Sequence, residues 1–254
     1  MARLVTHIAK ADATSVTVRG RDLVNEMIGR HSYTEVFYFL AAGRMPTAQQ
    51  TRVLDACLVT LMEHGFTPAA LISRLMAESV PGQIQVSIAA GLLAIGDVHA
   101  GTMEGCAALL QAGVGEVDQA VWCKRIVAEH RARREAVPGF GHKLHKPDDP
   151  RTGALLRTAR ENGLDGRYVA LLQALSAVID EAAGRHITIN ATGALAALLL
   201  EIGLPPEIVR AIAVVSRCGG LVGHILEEQR TGSARHLVRL ARETIPYEDP
   251  ADQA

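Results

Sequence analysis

The segment Val137 to Arg151, VPGFGHKLHKPDDPR, crowds glycine, proline, histidine and lysine into one stretch that carries no helical periodicity. Gly139 and Gly141 bracket Phe140, and His142 follows at once, so an imidazole stands on a turn whose backbone can approach a ligand closely. Imidazole exchanges protons near neutral pH, which suits it to general acid or base work or to donating a hydrogen bond to a developing oxyanion. Nine residues on, Arg151 offers a planar fork of donors that matches a carboxylate as a lysine cannot. Lys143 and Lys146 add point charges beside the turn, suited to phosphate groups and equally at home in solvent. On these residues alone the chemistry is polar work on an anionic substrate, although a histidine on a turn is otherwise simply solvated.

The elements that must hold this segment are helices. Apolar residues recur at three- and four-residue spacing near 34–42, 48–63, 67–78, 84–95, 102–112, 116–134, 151–162, 167–183, 193–202, 206–216 and 219–229. Gly43, Pro46, Pro81, Gly113, Gly203 and Pro205 mark helix ends. One strand-like patch, Ser15 to Arg19, is too short to predict a sheet. The fold class expected is all-α, with Ala-, Leu- and Gly-rich surfaces that allow close helix packing and suit a homodimer or higher homo-oligomer.

Charge excludes some function classes. With 26 Lys+Arg against 27 Asp+Glu, no global field gathers nucleic acid or an acidic membrane, so any anion site is local. Cys57, Cys106, Cys123 and Cys218 are scattered without a CxxC pair, which argues against a metal site or a disulfide framework. The N-terminus lacks an apolar stretch with a cleavage site, and the apolar run Ala191 to Leu200 is about half a bilayer span, so a cytoplasmic location is expected.

Taken whole, the Gly139, Gly141, His142 turn with Lys143, Lys146 and the Asp149, Pro150, Arg151 stop resembles the citrate synthase signature. Four further blocks resemble the same family in the same order. VRGRDL with SYTEVFYFLAAGRMPT is similar to its entry segment and first helix stop, and EHGFTPAALISR places His64 on its first histidine. GDVHAGTMEG places His99 on the catalytic histidine of the family's Gly-Pro-Leu-His-Gly-Gly turn. VSRCGGLVGHILEEQR resembles the Ser-Arg helix, giving Arg217 and His224. Only seventeen residues separate Thr47 from His64, where typical citrate synthases carry about a hundred more. That shortening resembles stand-alone citryl-CoA lyases and the lyase module of ATP-citrate lyase, although that module lacks a histidine where His99 stands. The resemblance implies a two-lobed helical fold with a shortened large lobe, 1–99 with 196–254, and a small lobe, 100–195.

It also implies roles. His99 would donate to the oxygen of a thioester enolate, and His142 would either donate to the ketone oxygen or remove the proton of the corresponding alcohol. His64, Arg151 and Arg217 would bind the carboxylate-bearing fragment. A third arginine, expected about twenty residues after Arg217, falls on Leu237, and Arg235 is the nearest substitute. Lys143 and Lys146 would meet coenzyme A phosphates, with the thioester a substrate and no tightly bound cofactor or metal. His224 sits in an apolar helix, where a hydrogen-bonded core role competes with substrate contact.

The pattern fails at one catalytic position. Aligned through Gly203 and Pro205, ITINATGALAALLLEIGLP puts Asn190 on the family's asparagine and Thr192 on its proton-transferring aspartate. A hydroxyl is a very poor base at neutral pH. Either Asp97 or Glu104 supplies the carboxylate, or the enolate arises by cleavage or decarboxylation, or the protein binds its ligand without turning it over. The expected function is therefore citryl-CoA lyase-like cleavage to acetyl-CoA and a keto-acid such as oxaloacetate. The alternatives are citrate or alkylcitrate synthase-like condensation and a non-catalytic acyl-CoA-binding sensor.

Overall fold

The computed structural model describes residues 4–97 and 101–250. It is 66% helical, and eleven α-helices lie among the described residues. Two compact units divide the chain: unit 1 is Met1–Cys57 with Thr102–Val209, and unit 2 is Leu58–Gly101 with Arg210–Ala254.

Unit 1 begins with a small antiparallel sheet in the order β1 (Ala9–Ala11), β2 (Val16–Val18), β3 (Arg21–Asp22). This corrects the expectation of a single strand-like patch. The Asp12 carboxylate accepts the amides of Thr14 and Ser15 and folds the chain back after β1, while Arg19 and Gly20, both at positive φ, make the tight turn into β3. Polar turn residues hid the hairpin from a search for apolar alternation. Helix α1 (Tyr33–Ala42) starts on a Ser32–Glu35 capping box and stops at Gly43 in the left-handed region. Helix α2 (Ala48–Met62) crosses from unit 1 into unit 2. Tyr38 and Gln50 both donate to the Ile202 carbonyl, at 2.6 and 2.9 Å. These bonds tie α1 and α2 to the end of α9.

The rest of unit 1 is α5 (Thr102–Val114), α6 (Gln119–Ala132), α7 (Pro150–Glu161), α8 (Arg167–Ala183) and α9 (Ala191–Glu201). Every residue of α9 from Gly193 to Leu200 is buried, and it packs against α5, α7 and α8. A helix surrounded on all sides has no polar face, which is why 193–200 reads as a continuous apolar run. At the end of α8, His186 hydrogen-bonds Asp180 at 2.7 Å through Nδ1 and Asp148 at 3.0 Å through Nε2. The Asp180 and Asp148 carboxylates raise the His186 pKa; burial alone would raise that of Asp180, but the His186 and Ile187 donors hold it low. A raised His186 pKa contributes stability below the unfolded value that is lost as pH rises through the folded one. The lowered Asp180 contributes stability above its unfolded value. The stability difference between wild type and His186→Ala is therefore expected to be larger near about pH 5.5 than near about pH 8.5, read from paired melting curves.

Unit 2 holds α3 (Pro68–Ser79), α4 (Ile84–Leu93), α10 (Val209–Thr231, from its second residue) and α11 (Ser233–Thr244). Small side chains bring α3 and α4 together: Ser73 Oγ donates to the Ser87 carbonyl at 2.9 Å, and a Cβ on Gly91 would collide with Ser73 Oγ and Leu221. The two helices expected at 206–216 and 219–229 are one helix. Gly219 and Gly220 do not break it but let it lie against Met62, whose carbonyl leaves no room for a Cβ at Gly220. The stretch Pro206–Thr231 is long and apolar enough to cross a membrane by length and composition. Within it, however, Arg217, His224, Glu227 and Glu228 are paired with side chains of residues 63–74, as in a helix packed inside a protein. Helix α11 was not anticipated, since its arginines masked its apolar positions.

Candidate active site

In unit 1 the glycine turn is pinned to the residues leading into α9. Gly141 N donates to the Thr188 carbonyl at 2.8 Å, Asn190 N to the Gly139 carbonyl at 3.0 Å, and Asn190 Nδ2 to the Gly141 carbonyl at 2.8 Å. Gly139 has φ 91°, and a Cβ there would lie 2.7 Å from Cys106 Sγ and 2.9 Å from Gly193 Cα. A Cβ on Gly193 would lie 2.5 Å from the Gly139 carbonyl oxygen. Alanine normally stabilises a helix relative to glycine, but here it strikes backbone. Gly193→Ala is expected to destabilise by about 1–3 kcal/mol, measured by denaturant titration, with the turn displaced from α9.

His142 Nδ1 accepts the amides of Leu144 and His145 at 3.1 and 2.9 Å. The lone pair is thereby committed to Nδ1, and in the neutral ring the proton stands on Nε2. Burial, and then the His145 ring stacked 4.4 Å away, lower the His142 pKa and favour that neutral form. Of the two roles open in the sequence, donor or base, this tautomer fits the donor.

Asp149, 1% exposed, organises the ends of two helices. Its carboxylate accepts Arg151 N at 3.1 Å, Arg151 Nε at 3.0 Å, Arg151 Nη2 at 2.8 Å and Ala191 N at 3.0 Å. Burial would raise this carboxyl, but the Arg151 guanidinium and the amides outweigh it and hold the pKa low. Arg151 is thus fixed at the start of α7, and the same carboxylate fixes the start of α9. Lys143 and Lys146 are exposed on the loop.

Thr192, in the first turn of α9, donates its hydroxyl to Asn190 Oδ1 at 2.6 Å. With its proton spent there, its 3.4 Å contact with the Thr102 hydroxyl makes Thr102 the donor. Helix α9 therefore begins in a chain of neutral groups.

Unit 2 contains a second polar group of side chains. Arg74, 2% exposed, donates to His224 Nδ1 at 2.9 Å, to Glu228 at 3.1 Å, to Ser233 at 3.2 Å and to Glu227. His224 Nε2 meets Glu63 at 3.0 Å, and Glu63 also accepts the amides of His64 and Gly65 at 2.8 and 2.6 Å. Arg217 lies 3.7 Å from Glu63, and burial lowers its pKa. Its Nη1 is buried without a hydrogen-bond partner.

The sequence reading gave no role to Glu63, Arg74 or Glu228, although two glutamates ending an apolar helix and a glutamate beside a histidine are signals of buried charge. Arg235 is paired with Glu78 at the edge of an open cavity of about 550 Å³ that Glu228 and Arg230 also line. His99 lies outside the described residues. Asp97, weighed as a substitute base, is in an ion pair with Arg210 at 2.7 Å in unit 2, while Glu104 stands in the first turn of α5 in unit 1.

Comparison with known proteins gives one consistent family. The model described as citrate synthase, C-terminal domain, matches residues 1–241. The structure of citryl-CoA lyase from Hydrogenobacter thermophilus is 30% identical, covering 90% of this chain and 88% of that one, with a TM-score of 0.83. ATP citrate lyase from Methanothrix soehngenii, solved with citrate and coenzyme A, covers 100% of this chain and 43% of its own, with a TM-score of 0.82. At 20% identity it attests the fold alone. The 2-methylcitrate synthase of Shewanella oneidensis is 27% identical over 232 residues, 87% of this chain and 58% of that protein. The chain spans little more than half the length of the curated relatives it matches.

Proposed function

The chain belongs to the citrate synthase family, and on that premise we propose a citryl-CoA lyase-like enzyme that cleaves a carboxylated 3-hydroxyacyl-CoA to acetyl-CoA and a keto-acid such as oxaloacetate. The observation that carries the lyase reading is the match to the Hydrogenobacter enzyme, 30% identical over most of both chains, while Thr192, whose hydroxyl is engaged by Asn190, leaves no carboxylate at that position for either direction. Condensation removes a carbon-bound proton and cleavage returns it through the same transition state, so lacking a positioned carboxylate there slows both directions alike, by roughly 10²- to 10⁴-fold. Cleavage begins at the other end. The 3-hydroxyl passes its proton to solvent water, the alkoxide becomes the ketone as the adjacent carbon–carbon bond breaks, and the electron pair of that bond passes into the thioester enolate. Water can then protonate the enolate carbon. The overlap with the Hydrogenobacter lyase, nearly complete on both sides, supports the lyase reading over the synthase one.

In either direction the substrate oxygen is an alkoxide when the bond breaks or forms. The Nε2–H of His142 serves it as a donor that needs no reorganisation, since two backbone amides hold the ring. By resemblance we assign binding of the carboxylate-bearing fragment to Arg151, which Asp149 orients, and to Arg217 and His64. We assign the enolate donor to His99 by resemblance, and contact with coenzyme A phosphates to Lys143 and Lys146. Arg235, 79% exposed and paired with Glu78, remains the weakest of the assigned carboxylate ligands. A cytoplasmic homo-oligomer accompanies this reading, supported by the four free thiols and by the exposed Ile72, Leu75 and Leu93 in unit 2.

The test is to supply synthetic citryl-CoA and, separately, acetyl-CoA with oxaloacetate, and to follow all products by mass spectrometry. Cleavage of citryl-CoA to acetyl-CoA and oxaloacetate without release of citrate is expected. Citrate formation without cleavage would establish the synthase alternative, and saturable binding without turnover would establish the sensor.

A further inference from the structure

Arg74 is buried to 2% exposure, far beyond what a surface ion pair requires, and its partners lie in α10 and at the start of α11. Its guanidinium is also 5.1 Å from the centre of the Phe66 ring, which covers one face. Guanidinium nitrogens only donate. The Arg74 Nε bond to His224 Nδ1 therefore requires the lone pair on Nδ1, so the Nε2 of His224 carries the hydrogen that points at Glu63. Direction is fixed along the whole chain: Arg74 donates to His224, and His224 donates to Glu63. Glu63 Oε1 then receives three donors, the third and second being the amides of Gly65 and His64. Those amides define the turn that carries the His64 side chain. The other Glu63 oxygen faces Arg217 at 3.7 Å, a distance that steers the guanidinium without saturating its donors.

We propose that Arg74 and His224 are positioning residues, which act through Glu63 to set the His64 turn and the orientation of Arg217 for a substrate carboxylate. This rests on the proposed function for its substrate, but the relay itself is a property of unit 2. The buried end is anchored by Glu228, which also accepts the Ala234 amide at 2.8 Å and the Ser233 hydroxyl. The residues joining α10 to α11 are thereby connected to the His64 turn through hydrogen bonds alone.

The test compares wild type with His224→Phe, which keeps a ring but no donor, and His224→Gln, which restores an N–H toward Glu63. Two readouts are taken on each. Amide hydrogen exchange at His64 and Gly65 is expected to speed up about tenfold or more in His224→Phe, as a bond to a charged acceptor is lost. It should return toward wild type in His224→Gln, with α3 amides unchanged in all three proteins as the control for folding. The KM for citryl-CoA should rise about tenfold in His224→Phe at nearly constant kcat and recover in His224→Gln. Equal exchange at His64 and Gly65 in all three proteins overturns the relay. Altered exchange with an unchanged KM overturns its role toward substrate. If wild type does not turn over citryl-CoA, the proposed function fails, and the exchange measurement still decides the relay. Should His224→Phe not fold, nitrogen-15 shifts of the wild-type imidazole decide it: a hydrogen on Nδ1 overturns the assignment, and one on Nε2 supports it.

Discussion

His142→Ala is expected to fold as wild type and to lose about 10²- to 10³-fold in kcat for citryl-CoA cleavage, the usual cost of deleting one preorganised oxyanion donor. Folding should survive because the turn is held by backbone bonds at Gly139, Gly141 and Asn190 rather than by the ring. His142→Gln, which keeps an N–H donor, should retain more activity than His142→Ala. The pH profile gives an independent check. Only the form with a lone pair on Nδ1 accepts the Leu144 and His145 amides, so activity falls as pH drops through the His142 pKa. Burial lowers that pKa from the ordinary 6.5, so the acid limb should lie below 6.5 and shift or vanish in His142→Gln. An acid limb above that value, or near wild-type turnover in His142→Ala, would remove His142 from the reaction.

Thr192→Asp carries the second large effect. A carboxylate at the first turn of α9 would sit beside Asn190 and Thr102, with the helix N-terminus favouring its charged form. If the missing base is what limits condensation, the variant should exchange the methyl protons of acetyl-CoA with deuterated solvent about 10²- to 10⁴-fold faster than wild type. The measurement is deuterium incorporation by mass spectrometry with an oxaloacetate analogue present. Rapid exchange in the wild type would show that another carboxylate already acts there, with Glu104 the next residue to change. No gain in the variant would show a site rebuilt for a different substrate.

Much of this architecture could be read from periodicity, and the reasons for the failures are physical. Helices with one wet face, such as α3 and α8, were expected close to their observed limits. The hairpin around Asp12 escaped because polar turn residues rather than apolar alternation define it. The interruption expected between 216 and 219 does not occur, and the glycine pair that follows marks a close approach of the continuous helix to Met62. At the candidate site, His142 and Arg151 announced themselves by type and spacing. The geometry adds what spacing cannot: which ring nitrogen keeps its lone pair, and that Asp149 already occupies part of the Arg151 fork. The unit 2 network was hidden for the opposite reason, since its members stand far apart in sequence and meet only after folding.

That separation has a consequence for biosynthesis. Arg74 and Glu228 are 154 residues apart, and both segments of unit 2 are needed to bury them. At a synthesis rate of about 5–20 residues per second, Arg74 waits roughly 8–30 s for its partner. During that interval α3 and α4 present a small-residue seam, an unmatched cation and exposed apolar side chains to solvent or to whatever binds nascent chains. The segment carrying α10 and α11 thus completes a unit that began to emerge long before it.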